Sequence, residues 1–210
     1  CSTFSMAGSR EKKWKKNTKF REGQSKQVLS DLFYDWIKLV DRLRPKVAIA
    51  ENVKGMLIGN AKAYTKSILE EIDKIGYQVQ LFLLDSSKMG VPQKRQRVFF
   101  ICTRKDLKLP KIEMNFNENI IPFKNIALDF AGKEITGQVL ELWLKCKPGS
   151  NLSTVHRKGN YFGTLKVSPN KVVNTIIAAS GSKILHYQQP KELSSTELAQ
   201  IGSFPLDCNY

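Results

Sequence analysis

Three short clusters carry residue types that can do chemistry. CSTFSMAG runs from Cys1 to Gly8, Glu51-Asn52-Val53 follows the apolar run KVAIA, and GVPQKRQR (Gly90 to Arg97) leads into RVFFICT. A cysteine thiolate can form a covalent bond to a substrate carbon. A carboxyl group can pass a proton to a reacting base. Arginines make the electropositive surroundings in which a thiol ionises. Taken singly, each cluster also has an ordinary reading. A cysteine among apolar residues is usually a small buried hydrophobe. Glu-Asn after a strand is often turn chemistry, and alternating Gln and Arg suits a solvated loop.

The elements around the clusters decide whether they can meet. Leu29, Leu32, Phe33, Trp36, Ile37, Val40 and Leu43 recur at three- and four-residue spacing, which predicts a helix over Gln27 to Leu43, stopped by Pro45. Lys46 to Ala50 reads as a short buried strand that presents Glu51 at its end. A second helix is expected over Ala63 to Ile75. Strands are expected over Tyr77 to Leu84 and Arg97 to Thr103, with Asp85 to Gln96 as the loop between them. This order gives an α/β layer with an antiparallel pair at one edge. Arg10 to Lys26 is dense in lysine and poor in apolar periodicity, and reads as a long mobile loop. From Leu107 to Pro190, prolines punctuate short mixed segments, so a smaller irregular region is expected. Ser194 and Glu197 have capping-box spacing, which predicts a short helix ending at Ile201.

Composition narrows the partners. The 210 residues carry 34 Lys and Arg against 19 Asp and Glu, a formal charge of +15. Such an excess favours a polyanion, because Lys and Arg displace the counterions condensed on phosphate backbones. No apolar run approaches 18 residues and no signal peptide is recognisable, so a membrane partner is not expected. The four cysteines, Cys1, Cys102, Cys146 and Cys208, make no CxxC pair and no zinc pattern, so no metal is expected. They read as thiols of a reducing, cytoplasmic compartment. Neither histidine, His156 nor His186, accompanies a GxSxG elbow.

In this order, the three clusters resemble the DNA cytosine-5 methyltransferase family. The family pattern is a catalytic Pro-Cys, an FS-type segment, ENV, QxRxR and then a variable target-recognition region. CSTFSMAG, PKVAIAENVKG and MGVPQKRQRVFFI follow that pattern, and ELSSTELAQIGSFP (Glu192 to Pro205) resembles the segment after the recognition region. The resemblance implies methyl transfer from S-adenosylmethionine to C5 of a cytosine in a specific sequence of double-stranded DNA. It makes Cys1 the thiolate that adds at C6, Glu51 the acid at N3, and Arg97 a group beside the base or the nucleophile. Asn52, Gln93 and Arg95 would support the surrounding loops and the substrate. The target base must leave the stack, at a cost of about a few kcal/mol. Lys12, Lys13, Lys15 and Lys16 would then hold the DNA backbone while their loop closes. In the irregular region, Thr175-Ile176 resembles a family Thr-Leu-type pair, which makes Thr175 a substrate-contact candidate. His156, Arg157, Lys158, Asn160 and Tyr161 are candidates for reading base edges.

The implied fold is the C-terminal part of a Rossmann-like methyltransferase sheet plus a small irregular target-recognition domain. Residues 1–106 would be the partial catalytic domain, 107–190 the recognition domain, and 191–210 a return to the catalytic domain. The family's glycine-containing FxGxG-like donor loop is found nowhere in these 210 residues. The main S-adenosylmethionine motif is therefore expected upstream of Cys1, on the same chain or on a partner subunit. Cys1 in place of an initiator methionine also reads as the start of a processed product or of part of something longer. An exposed sheet edge should result unless another segment covers it. The setting implied is a bacterial or phage modification system. The alternatives are an RNA cytosine-5 methyltransferase and a non-catalytic DNA-binding remnant.

Overall fold

The computed structural model describes residues 17–18, 27–28, 32–59, 61–128, 132–176 and 183–205. Cys1, Lys12, Lys13, Lys15 and Lys16 lie outside the described residues. By contact the chain forms two compact units: Cys1–Leu84 with Gln96–Asn115, and Asp85–Arg95 with Phe116–Tyr210.

The first unit holds a helix–strand–helix–strand–strand run in the expected order. Helix α1 spans Leu32–Leu43 and buries Phe33, Ile37 and Val40. It starts later than its periodicity predicts. Gln27–Val28 instead form strand β2, paired antiparallel with β1 at Asn17–Thr18, inside the stretch expected to be a loop. An apolar stripe locates a helix face but not its first turn, and the upstream backbone partners Asn17 and Thr18 leave no side-chain signal. Arg44, with φ +50°, ends the helix before Pro45.

Strand β3 runs Val47–Val53, so Glu51-Asn52-Val53 is part of the strand rather than the loop after it. Helix α2 covers Ala61–Lys74 and strand β4 covers Tyr77–Asp85. Past the two-residue strand β5 (Gln93–Lys94), strand β6 spans Gln96–Arg104. The sheet order is β3-β6-β4, and β3 pairs antiparallel with β6. Strand side chains alternate between faces. On β6 the alternation buries Val98, Phe100 and Cys102 completely, with Ala48 of β3 and Tyr77 of β4 in the same cluster as Phe33, Ile68 and Ile72 of the helices. The Phe33 and Phe100 rings meet edge to face at 4.8 Å. Burial pushes the Cys102 thiol up to about 12, which suits a packing residue rather than a nucleophile.

On β3 the residues of opposite parity point away from that core. Val47 is 44% exposed and Ile49 59%, and β3 is the terminal strand of its sheet. Exposed β-branched residues along a sheet edge are the feature that folded proteins usually cover.

The second unit is built from short pieces, as the prolines imply, with one exception. Helix α3 spans Gly137–Lys145 and packs Leu142 and Trp143 against Ile135, Leu152 and Leu185. Strand β7 (Leu165–Lys166) pairs parallel with β9 (Ile184–Leu185), and β5 pairs parallel with β8 (Val173–Asn174). Lys166 is buried, donates to the Trp143 carbonyl at 3.0 Å and lies 3.7 Å above the Trp143 ring. Burial lowers its pKa. Helix α4 covers Ser195–Ile201 and carries the expected capping box: Ser194 Oγ accepts the Glu197 N–H, and the Glu197 carboxylate accepts the Ser194 N–H. Among the described residues, no helix is long and apolar enough to cross a membrane.

Candidate active site

The β3–β6 register brings the second sequence cluster to Arg97, the last residue of the third. Glu51 lies opposite Phe99, and Arg97 lies opposite Val53. Glu51 and Arg97 are thus diagonal neighbours of one parity, a spacing that long side chains bridge. Arg97 Nε donates to Glu51 Oε1 at 2.8 Å. The Arg97 side chain is 20% exposed and that of Glu51 49%. Arg97 Nη1 also donates to the Gln96 carbonyl at 2.8 Å, which fixes the plane of the guanidinium. A pair this exposed contributes little to stability. Its effect is positional: one carboxyl oxygen is oriented, and the group stays open on the side away from the helices.

The backbone that presents Glu51 is braced from both sides. Asn52 Oδ1 accepts the Val53 N–H at 2.9 Å. The next turn, Lys54–Leu57, is tied to α2, where Thr65 Oγ1 donates to the Met56 carbonyl at 2.7 Å. Lys54 Nζ donates to Gln96 Oε1 at 2.9 Å and links the ends of β3 and β6. Nothing in the spacing of Lys54 and Gln96 announced that link, which depends on the register.

Gln93 and Arg95 belong to the second unit. Gln93 is buried on β5 opposite Val173, while Arg95 is exposed. Ser86, absent from the sequence-based candidates, brackets this segment. Its hydroxyl donates to the Gln93 carbonyl at 2.5 Å and accepts the Arg95 N–H at 3.1 Å, and its own N–H donates to the Arg95 carbonyl at 3.1 Å. The Asp85-Ser86-Ser87 triplet was the available signal, since Asp and Ser side chains in turns bond backbone a few residues on. Asp85 does so here, accepting from Ser87 N at 3.1 Å. On the other side of the segment, Thr175 Oγ1 donates to the Lys94 carbonyl at 2.8 Å. Thr175 therefore meets the Gln-Lys-Arg segment, and its one hydroxyl proton is committed to it.

His156 organises the turn that follows it. Its Nδ1 accepts the N–H groups of Lys158 at 3.2 Å and Asn160 at 3.1 Å. Arg157, Lys158 and Asn160 remain exposed on the turn it organises. Among the described residues, no group of three or more His, Cys, Asp or Glu side chains could hold a metal ion.

Comparison with known proteins gives the following likenesses. The type II methyltransferase M.FnuDI of Fusobacterium nucleatum is 40% identical over 85 residues, covering 40% of this chain and 25% of its own. M.NgoFVII of Neisseria gonorrhoeae is 27% identical over 208 residues, covering 86% and 55%. M.NgoPII of the same organism is 30% identical over 170 residues, covering 76% and 49%. The chain thus spans about half or less of the length of these relatives. A prophage-encoded E. coli protein described as a DNA modification methyltransferase shares the fold, with a TM-score of 0.64 at 18% identity over 84% of this chain and 64% of that one. A mutant of Spodoptera frugiperda DNMT2 does so with a TM-score of 0.58 at 16% identity, over 93% and 66%. These likenesses assign the α/β methyltransferase fold. The model of one family, described as C-5 cytosine-specific DNA methylase, matches residues 1–210 in full, and to that family the chain belongs.

Proposed function

We propose that this chain carries the base-side chemistry and target recognition of a DNA cytosine-5 methyltransferase of a type II modification system, acting on double-stranded DNA in the cytoplasm. The observation that carries the reading is the Glu51–Arg97 pair, set by the register of the two strands that hold them. Cytosine C5 is a poor nucleophile. Attack by the Cys1 thiolate forms a C6–S bond and moves electron density onto C5 and towards N3. Glu51 donates a proton or hydrogen bond at N3 and relieves that charge. Arg97 holds the Glu51 carboxyl in place and adds positive potential for the thiolate. After methylation, loss of the C5 proton and departure of the thiolate restore the aromatic ring. S-adenosylmethionine supplies the methyl group.

The residues at hand fit the base side of this chemistry and not the main donor site. The strand that ends in Glu51-Asn52-Val53 leads into the turn Lys54–Leu57 and not into a glycine-rich phosphate- or adenosine-binding loop. The donor motif then belongs to a segment upstream of Cys1 or to a partner subunit. The exposed Val47 and Ile49 on the terminal strand β3 give such a segment a surface to cover. By role, residues 1–106 and 191–210 serve catalysis and 107–190 serve recognition. Gln93 and Arg95 support the substrate through the segment that Ser86 and Thr175 hold, and a DNA contact by Thr175 would use its remaining lone pairs. The isolated 210 residues are expected to show no micromolar binding of S-adenosylmethionine by calorimetry, and the upstream segment should restore it. Micromolar binding by the isolated chain would place the donor site elsewhere.

Lys12, Lys13, Lys15 and Lys16 are assigned to phosphates, because dense positive charge neutralises a backbone but does not read bases. Changing all four to glutamine should weaken DNA binding alike for every sequence. The slope of log affinity against log salt should fall by about 3–4 units if all four make phosphate contacts. An unchanged slope would leave them as a solvated face.

A further inference from the structure

Phe162 is the most exposed large apolar side chain among the described residues, at 79%. A single exposed Phe needs no explanation in itself. The segment that holds this one is shaped to keep it outward. His156 Nδ1 gathers the N–H groups of Lys158 and Asn160, and the Gly159 N–H returns to the His156 carbonyl at 3.0 Å. Tyr161, the residue before Phe162, sits at φ +66°, a left-handed conformation rare for an aromatic residue. It is held there on three sides. Its ring meets that of His156 edge to face at 5.5 Å, its hydroxyl donates to Gln138 Oε1 at 3.0 Å, and its carbonyl accepts the Thr164 N–H at 3.0 Å. Two residues on, Thr164 is buried. The turn is thus anchored at both ends, and Phe162 is its apolar projection.

The surroundings indicate what the ring meets. Arg157 and Lys158 are exposed on the same turn. Phe162 also rims a cavity of about 340 Å³ lined by Asn151, Asn174 and Thr175 together with Lys183, Glu192 and several apolar residues. Cations for phosphate, a ring for stacking or a thymine methyl, and amides able to donate and accept are the elements of base recognition. We infer that Phe162 is a specificity-determining residue that packs against a base of duplex DNA within the recognised sequence. This rests on the DNA methyltransferase reading above and adds a residue to it.

The test uses the full-length enzyme and its Phe162→Ala variant. Methylation of a randomised duplex library, read by sequencing, gives the preference of each, and titration gives affinity for preferred and scrambled duplexes. The variant is expected to keep its melting temperature, lose about tenfold in affinity for the preferred duplex, keep its affinity for the scrambled one, and relax preference at one position. The salt slope should not move, because an apolar contact releases no counterion. Unchanged preference, or equal loss on both duplexes, would overturn the inference. So would a melting temperature lowered by several degrees with preference intact, because Phe162 would then pack on its own protein. A wild-type enzyme that methylates no duplex would remove the DNA reading itself, and the inference with it.

Discussion

Replacing Cys1 with serine in the full-length enzyme is expected to abolish methyl transfer and leave DNA binding largely intact. A serine hydroxyl occupies nearly the same space but is not ionised near neutral pH, and a thiol is the intrinsically stronger nucleophile. Without addition at C6, C5 never becomes reactive enough to accept the methyl group, so no slower version of the same route remains. Removing the nucleophile of other covalent enzymes costs up to about 10⁶-fold in kcat. A loss on the order of 10³-fold or more in single turnover is the expected scale here. Affinity should hold, because the charge that binds phosphates lies on other residues. Methyl transfer within tenfold of wild type would remove Cys1 from the nucleophile's role. The described thiols make poor substitutes for it, since Cys102 and Cys146 are both buried.

Glu51→Gln should produce the second large effect, confined to the chemical step. The amide oxygen can still accept from Arg97 Nε, so the 2.8 Å contact has a counterpart and the strand is not disturbed. What is lost is the acidic proton for N3. General acid catalysis of this kind contributes about 10²–10⁴-fold, and single-turnover rates should fall by that amount. Affinity for DNA should change by much less. An unchanged rate would end the assignment of Glu51, whereas equal losses in rate and affinity would recast it as a binding residue.

How far the sequence predicted this arrangement depended on the range of the interactions involved. The apolar stripe through Phe33, Ile37 and Val40, the apolar run in RVFFICT and the capping box of Ser194 and Glu197 are local patterns, and each appears in the fold. The meeting of Glu51 with Arg97 was foreshadowed by family order, but its physical cause is a strand register that no local pattern states. The start of α1 was missed because β2 takes its partner from a polar segment. Helix α3 was missed for a different reason. It is nine residues long, opens on Gly137 at φ +57°, and Thr136 before it makes no side-chain cap. Most of its stability comes from burying Leu142 and Trp143, as is general for short helices. His156 is a candidate base reader because its type suits that task. Its Nδ1 also accepts from two backbone groups, two and four residues along, an interaction that its type alone does not announce.

The proposed reaction requires a covalent bond between Cys1 and the target base. Duplex DNA whose target cytosine carries fluorine at C5 provides the direct measurement. Addition and methylation can proceed on it, but elimination cannot, because fluorine does not leave as the cation that would be required. The full-length enzyme, incubated with this DNA and S-adenosylmethionine, is expected to form one denaturation-resistant adduct per chain. Mass spectrometry should place the methylated fluorocytosine on the peptide that begins CSTF. Active enzyme that forms no such adduct, or an adduct mapped to Cys102, Cys146 or Cys208, would contradict it.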